Sequence, residues 1–598
     1  MKIKKTLKIG RSDFKRIVDN NHYFVDKTML ISDFLKNAND ILLMPRPKRF
    51  GKTLNLSMIE YFFDINKKDS TKLFDEFEIS KEKEFCEQHQ NKYPVINFSL
   101  KSIKASNWND SYNHFENVIS ELYEQHLYLS NSDKLNDLFK EKIRKIFSKQ
   151  ADEIELQYSL KNLSKYLKIH FKQDVIILVD EYDTPIIYAY ANTEKPFNSE
   201  DKTTYYGQVI EFMQTFLGEA FKGNKTLQKG LLTGIMRIAK ESIFSDWNNF
   251  KVFSLTSPYF ADKFGFTETE TRTILKYYNL FDKVDKVKQW YDGYKFGKTD
   301  KIYNPWSIVN YVAFHEEGFK AHWVNTGRDM LIKERITEPK IKENLQNLIT
   351  GKSIEKKLHE NFVFSDLDNE VIENDDDALI WTLLTYSGYL TQIKELKYDN
   401  YELKIPNNEI KTVFKEIIVN WLKEKVRIRR ETLISTSDFL INNKLPEFEK
   451  GFKQIVGDTI SYFDTAPIID KKTQKVITSK EQIFHVYTLG LLAILSDDFN
   501  IKSNREAGEG RYDIMLIPYD KSKNGVVIEI KQIDKRKNET EKTYVKKINT
   551  KIKEGLNQIN ENKYYIELLE SGIKPENIIK LAIVFAGKEP FVKPIPID

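Results

Sequence analysis

An α/β fold with two separate sheets is what this sequence predicts, and three observations predict it. Between residues 8 and 260, short apolar runs at 41–44, 95–100, 175–179 and 230–233 alternate with helical stretches, the pattern of an open parallel sheet. From 261 to about 400 the chain is mainly helical and rich in aromatics, as expected of a lid or linker region. Near the C-terminus two apolar runs, 514–517 and 526–530, flank a turn that closes on Asn524-Gly525. A chain of 598 residues has room for about three domains, each with its own core. The expected boundaries are 1–260, 261–400 and 401–598.

The first apolar run, Ile41-Leu42-Leu43-Met44, leads through Pro45-Arg46-Pro47-Lys48-Arg49-Phe50 to Gly51-Lys52-Thr53. A helical stretch follows at once. Strand, short loop and helix N-terminus in that order form a phosphate-binding arrangement, because first-turn amides point at the anion. Lys52 is expected to reach the β- and γ-phosphates and the Thr53 hydroxyl to hold Mg²⁺. The full motif wants glycine five residues before Gly51, where this chain has Arg46, so the loop is unusually basic.

The third run, Val175-Ile176-Ile177-Leu178-Val179, is continuous enough to be buried on both faces, and it ends in Asp180-Glu181. Ligands collect at the C-terminal ends of parallel strands, so Asp180 is expected to bind Mg²⁺ and Glu181 to polarise an attacking water. Leu231-Leu232-Thr233-Gly234 reads as the next strand, with Thr233 placed to sense the γ-phosphate. Arg237 follows as a phosphate or switch contact.

At the C-terminal site, Asp513 opens a strand, and Glu529 and Lys531 lie two apart on the next one, hence on one face. A hairpin brings Asp513 toward that face. Two carboxylates beside an ammonium are costly unless a hard cation and an anion join them, which a metal ion and a scissile phosphate would do.

Gly510-x-x-Asp513 followed by Glu529-x-Lys531 resembles the PD-(D/E)xK nuclease superfamily. That resemblance implies a restriction-endonuclease-like α/β domain with Asp513, Glu529 and Glu481 as metal ligands and Lys531 as a catalytic group. It also implies a downstream helix carrying Gln558, and it adds His485 and Gly510 as site candidates. Tyr512 stands where the family has proline, and Asn562 where a tyrosine is expected after the glutamine.

The form Arg46-Pro47-Lys48-Arg49-Phe50-Gly51-Lys52-Thr53, with Phe24-Val25-Asp26-Lys27-Thr28, Trp290-Tyr291-Asp292-Gly293-Tyr294 and Tyr303-Asn304-Pro305-Trp306-Ser307-Ile308, resembles the AAA-ATPase-like family. It implies a P-loop NTPase-type parallel sheet binding ATP and Mg²⁺, with Arg46, Arg49 and Gly51 lining the nucleotide. The combined expectation is an ATP-binding protein coupled to a Mg²⁺-dependent nuclease acting on nucleic acid, DNA favoured. A second reading from another class is a nucleotide-dependent switch or scaffold acting on protein partners.

Net charge of +5, with 30% charged residues, is nearly balanced and does not by itself argue for nucleic acid. One cysteine excludes a disulfide framework and a thiolate metal cluster. The basic start lacks a following apolar stretch, and no run reaches the roughly eighteen apolar residues of a membrane span. A cytoplasmic protein without a membrane partner is expected.

Overall fold

The computed structural model describes residues 4–194, 201–236, 249–323, 339–349, 351–359, 378–414, 430–460, 468–469, 476–478, 498–507, 510–535, 539–587 and 589–594, with single positions 484, 488, 492 and 495. They form two compact units. One comprises Met1–Ile332 with Glu355–Ile410, the other Lys333–Ile354 with Lys411–Asp598.

The first unit is built on five parallel strands: β1 (Ile41–Pro45), β2 (Val95–Ser99), β3 (Val175–Asp180), β4 (Leu227–Gly234) and β5 (Phe250–Val252), in the order β2-β3-β4-β1-β5. Every residue of β1 and β3 is buried, as continuous apolar strands in a sheet covered on both faces must be. Leu42, Met44, Ile176, Leu178 and Leu231 pack in one cluster with Leu56, Ile59, Phe62 and Phe63 of helix α1 (Lys52–Phe63). That packing anchors α1 directly behind the loop that ends β1. Parallel pairing demands crossovers, and helices such as Trp108–Gln125, Ser159–Phe171 and Tyr205–Phe221 supply them.

The region after the sheet is mostly helical, as the sequence predicts: Glu268–Tyr277, Val284–Tyr291, α2 (Pro305–Ala313) and the fully buried Ala378–Tyr386. An antiparallel pair, Tyr294–Phe296 with Thr299–Ile302, and a small three-stranded sheet in the order Ile354–Lys357, Asn400–Lys404, Thr391–Glu395 interrupt it.

The second unit holds a mixed five-stranded sheet in sequential order: β6 (Phe499–Ala507), β7 (Gly510–Pro518), β8 (Gly525–Ile533), β9 (Ile578–Ala586) and β10 (Glu589–Pro594). Only β8 and β9 pair in parallel, and helix α3 (Glu541–Glu561) makes the crossover between them. Side-chain alternation divides most of the sheet. Ile514, Leu516, Val526, Ile528, Leu581 and Ile583 face a core shared with Phe448 and Phe452. Met515, Ile517 and Val527 pack instead with Ile559 and Tyr564, while Ala582 and Val584 meet Tyr544, Ile548 and Ile552 of α3.

Among the described residues, no helix is long and apolar enough to cross a membrane.

Candidate nucleotide and nuclease sites

Asp180 closes β3 and is 3% exposed. Its Oδ2 accepts from the Thr53 hydroxyl and its Oδ1 from the Thr233 hydroxyl, each at 2.6 Å. The strand order explains the meeting: β4, which carries Thr233, lies between β3 and β1, and α1 with Thr53 starts just beyond β1. Residues far apart in the chain thus converge on one carboxylate at the C-terminal edge of the sheet. Glu181 follows in a left-handed conformation, φ 54°, and its Oε2 accepts from the Thr184 hydroxyl at 3.2 Å. That strained backbone directly after a strand end is of the kind found at functional sites.

Gly51, the N-cap of α1, has φ +87° and open space where a Cβ would stand. A glycine cap brings no side-chain oxygen to the first-turn amides, which suits them to an anion. The Lys52 ammonium is buried and donates to the carbonyls of Arg46 and Pro47, both at 3.0 Å. Thr53 and Asp180 are hard oxygen donors of the type Mg²⁺ takes. Together these residues fit a nucleotide phosphate with its cation.

Arg46 is placed differently from a phosphate contact. Its guanidinium is fully buried and donates to the carbonyls of Pro45, Phe253 and Phe260 at 2.8, 2.7 and 3.2 Å, between the rings of Phe264 and Phe296. Burial pulls its pKa down to about 10. Its cation serves the packing of the 253–260 segment. Arg49, at φ 69°, lays its guanidinium 3.5 Å from the centre of the Trp306 ring at the start of α2, and partial burial lowers its pKa. The loop has no glycine before Gly51, so its shape is held from outside: Phe50 packs on Tyr294 and Phe296. Arg237 lies outside the described residues.

In the second unit, Glu529 is 2% exposed, and its Oε1 accepts from the Lys531 ammonium at 2.7 Å. Glu529 pairs with Ala582 of β9 and Lys531 with Val584, so both belong to the α3 side of the sheet. The alternation set by Met515 does not run on past Ile514, because Tyr512 packs in the same cluster as Met515, Ile517 and Tyr564. The β7–β8 ladder pairs Leu516 with Val526, Met515 with Val527 and Ile514 with Ile528, then stops. One step further, the Asp513 carboxylate accepts from the Ile530 amide at 2.7 Å. A side chain there takes over a bond that the neighbouring strand would otherwise supply. Gly555 of α3 faces this point: a Cβ on it would stand 3.2 Å from Ala582 Cβ and 3.6 Å from Glu529 Cγ.

Two carboxylates and an ammonium brought together around residues 529–531 fit a hard divalent cation beside a phosphate. Gln558 lies on α3 as expected, and its amide donates to the Tyr564 hydroxyl at 3.2 Å. Gly510 begins β7. Glu481 and His485 lie outside the described residues. Among the described residues, no group of three or more His, Cys, Asp or Glu is disposed to hold a metal.

Nothing in the sequence marks Glu409, a buried acid whose partners all lie far from it in the chain. The stacking of Trp306 on Arg49 has no local signal in the sequence either.

The chain is similar to an uncharacterized protein of the vnfD 5′ region of Azotobacter chroococcum, 24% identical over 459 residues, covering 75% of this chain and 77% of that one. Among solved structures it is similar to a Walker-type ATPase of Pyrococcus abyssi at 13% identity and a TM-score of 0.35, covering 69% of this chain and 99% of the other. Residues 8–244 match the family described as "Predicted AAA-ATPase", and residues 479–594 match the PD-(D/E)XK nuclease superfamily. Domains of these two kinds generally use ATP and a divalent metal. The chain therefore joins an AAA-ATPase-like domain, over residues 8–244, to a C-terminal domain of the PD-(D/E)XK nuclease superfamily.

Proposed function

We propose that this protein binds ATP at the Gly51–Thr53 loop and hydrolyses phosphodiester bonds of nucleic acid, DNA in preference, at the Asp513–Glu529–Lys531 site. The observation that carries the reading is the ammonium of Lys531 bonded to the buried carboxylate of Glu529, with the Asp513 carboxylate bonded to the amide of Ile530 between them. Asp513 and Glu529 are the groups to hold Mg²⁺, with Glu481 as a further ligand. When bound, such an ion polarises a phosphoryl oxygen and makes water a nucleophile near neutral pH. Lys531 then orients the attacking water and offsets charge that develops on the phosphate. Burial strengthens that contribution, because little water screens it.

At the nucleotide site, Lys52 exchanges the Arg46 and Pro47 carbonyls for phosphate oxygens, and Thr53 with Asp180 holds the cation. Glu181 is the group to orient water if ATP is hydrolysed. Thr233 reports on the γ-phosphate through its bond to Asp180. Nucleotide binding would then set when the nuclease acts.

The test is cleavage of labelled DNA and RNA by the purified protein with Mg²⁺ or Mn²⁺, with and without ATP, beside Glu529→Ala. Cutting that the variant lacks is the expected result. ATP binding without cutting of any substrate would move the assignment to a nucleotide-dependent switch acting on protein partners.

A further inference from the structure

The buried carboxylate of Glu409 belongs to no step described so far. It is completely buried, and burial lifts its pKa to about 7 against the opposing pull of its three donors. Oε2 accepts from the Ser307 hydroxyl at 2.7 Å, and Oε1 from the backbone amides of His322 and Trp323 at 2.7 and 2.9 Å. A buried acid with every bond spent on two remote segments fixes those segments relative to each other. Ser307 lies in the first turn of α2, next to Trp306, and the Trp306 indole N–H donates to the His322 carbonyl at 2.9 Å.

Both segments reach the phosphate loop. The Trp306 ring carries the Arg49 guanidinium. The Trp323 indole N–H donates to the Lys48 carbonyl at 3.4 Å, and the Asn304 amide reaches the same oxygen at 3.5 Å. Trp323 is itself held edge-on to Tyr389, and Gly388 beside it comes close to Pro47. Lys48 and Arg49 belong to a loop that has Arg46 where the full phosphate-loop motif has glycine. Here an outside frame holds them, and Glu409 ties that frame together.

We infer that Glu409 is a positioning residue of the nucleotide site, acting through Trp323 and Trp306 to hold the Lys48–Arg49 segment in its phosphate-binding shape. The inference rests on ATP binding at Gly51–Thr53. A preformed loop costs less to order on binding, so loosening it weakens the ligand without removing a contact.

The experiment is calorimetric titration of the full chain with ATP and Mg²⁺, together with thermal unfolding. Glu409→Ala is expected to weaken ATP by about tenfold, the effect of roughly 1.4 kcal/mol. Glu409→Gln, whose amide oxygen can accept both backbone amides while its NH₂ meets Ser307, is expected to restore affinity to within about twofold. Trp323→Phe, which removes the donor to Lys48 and trims the ring packed on Tyr389, should add little on top of Glu409→Ala, because the two act in series.

A folded Glu409→Ala that binds ATP as the wild type does, or losses from the two substitutions that simply multiply, would overturn the inference. If Glu409→Ala does not fold, Ser307→Ala, which removes one of the three donors to Glu409, takes its place beside Trp323→Phe: a combined loss below the product of the two supports the inference, and the full product overturns it. A wild-type chain that binds no ATP would refute the nucleotide assignment itself, a different outcome from either.

Discussion

The Thr53 hydroxyl donates to Oδ2 of Asp180 at 2.6 Å, joining the first turn of α1 to the end of β3 across 127 residues of chain. Thr233 binds the other oxygen of the same carboxylate, so the acid has a hydroxyl on each side. A carboxylate held on both oxygens keeps its orientation, and a cation arriving there meets donors already aligned.

Lys52→Ala and Asp180→Ala should each weaken Mg²⁺-ATP by about ten- to a hundredfold, since bonds to charged groups contribute about 1.5–3 kcal/mol each. Equilibrium binding of ATP with and without Mg²⁺ checks this. Asp180→Ala should lose the metal dependence as well, whereas Lys52→Ala should keep it.

Lys531→Ala should abolish cleavage and also lower the stability of the second unit by about 3 kcal/mol, because it strands the buried Glu529 carboxylate. The double variant Glu529→Gln/Lys531→Met should be equally inactive but recover most of that stability. Denaturant unfolding of the three proteins separates the two effects.

Arg46→Leu should act on folding before it acts on ATP. It leaves the carbonyls of Phe253 and Phe260 without their buried donor, at a cost of about 3 kcal/mol. A variant that unfolds normally and loses only ATP affinity would return Arg46 to the phosphate-contact role.

His126 carries a pH prediction. Burial, with help from the nearby Lys67 charge, lowers its pKa from 6.5 to about 4. Between those values the native state binds fewer protons than the unfolded chain, so stability is complete above pH 6.5 and falls as pH drops toward 4. The loss is about 3 kcal/mol at most. His126→Gln should flatten that part of the profile when thermal midpoints are compared between pH 7 and pH 4.5.

What was legible in the sequence is what depends on neighbours along the chain. The burial of Val175–Val179 follows from a continuous apolar run, and the shared face of Glu529 and Lys531 follows from the two-residue period of a strand. What was not legible depends on which strand lies beside which. Thr233 meets Asp180 only because β4 inserts between β1 and β3, and no local pattern announces that order. Arg46 read as a phosphate ligand because its loop position is local, while the carbonyls that absorb it come from residues two hundred positions away. Glu409 was silent for the same reason: a single acid among polar neighbours gives no sign that Ser307 and Trp323 will enclose it.

The interleaving of the two units has a consequence for how this chain can be inherited. The polypeptide leaves the first unit after Ile332, returns at Glu355 and leaves again after Ile410. No single crossover in a gene could therefore move the C-terminal unit whole onto another protein, nor could one proteolytic cut release it intact. Residues 355–410, which bring Glu409 to Trp323 and Gly388 close to Pro47, lie between the two parts of the second unit and would be caught in any such exchange. Any such exchange would carry part of the first unit along or leave part of the second behind.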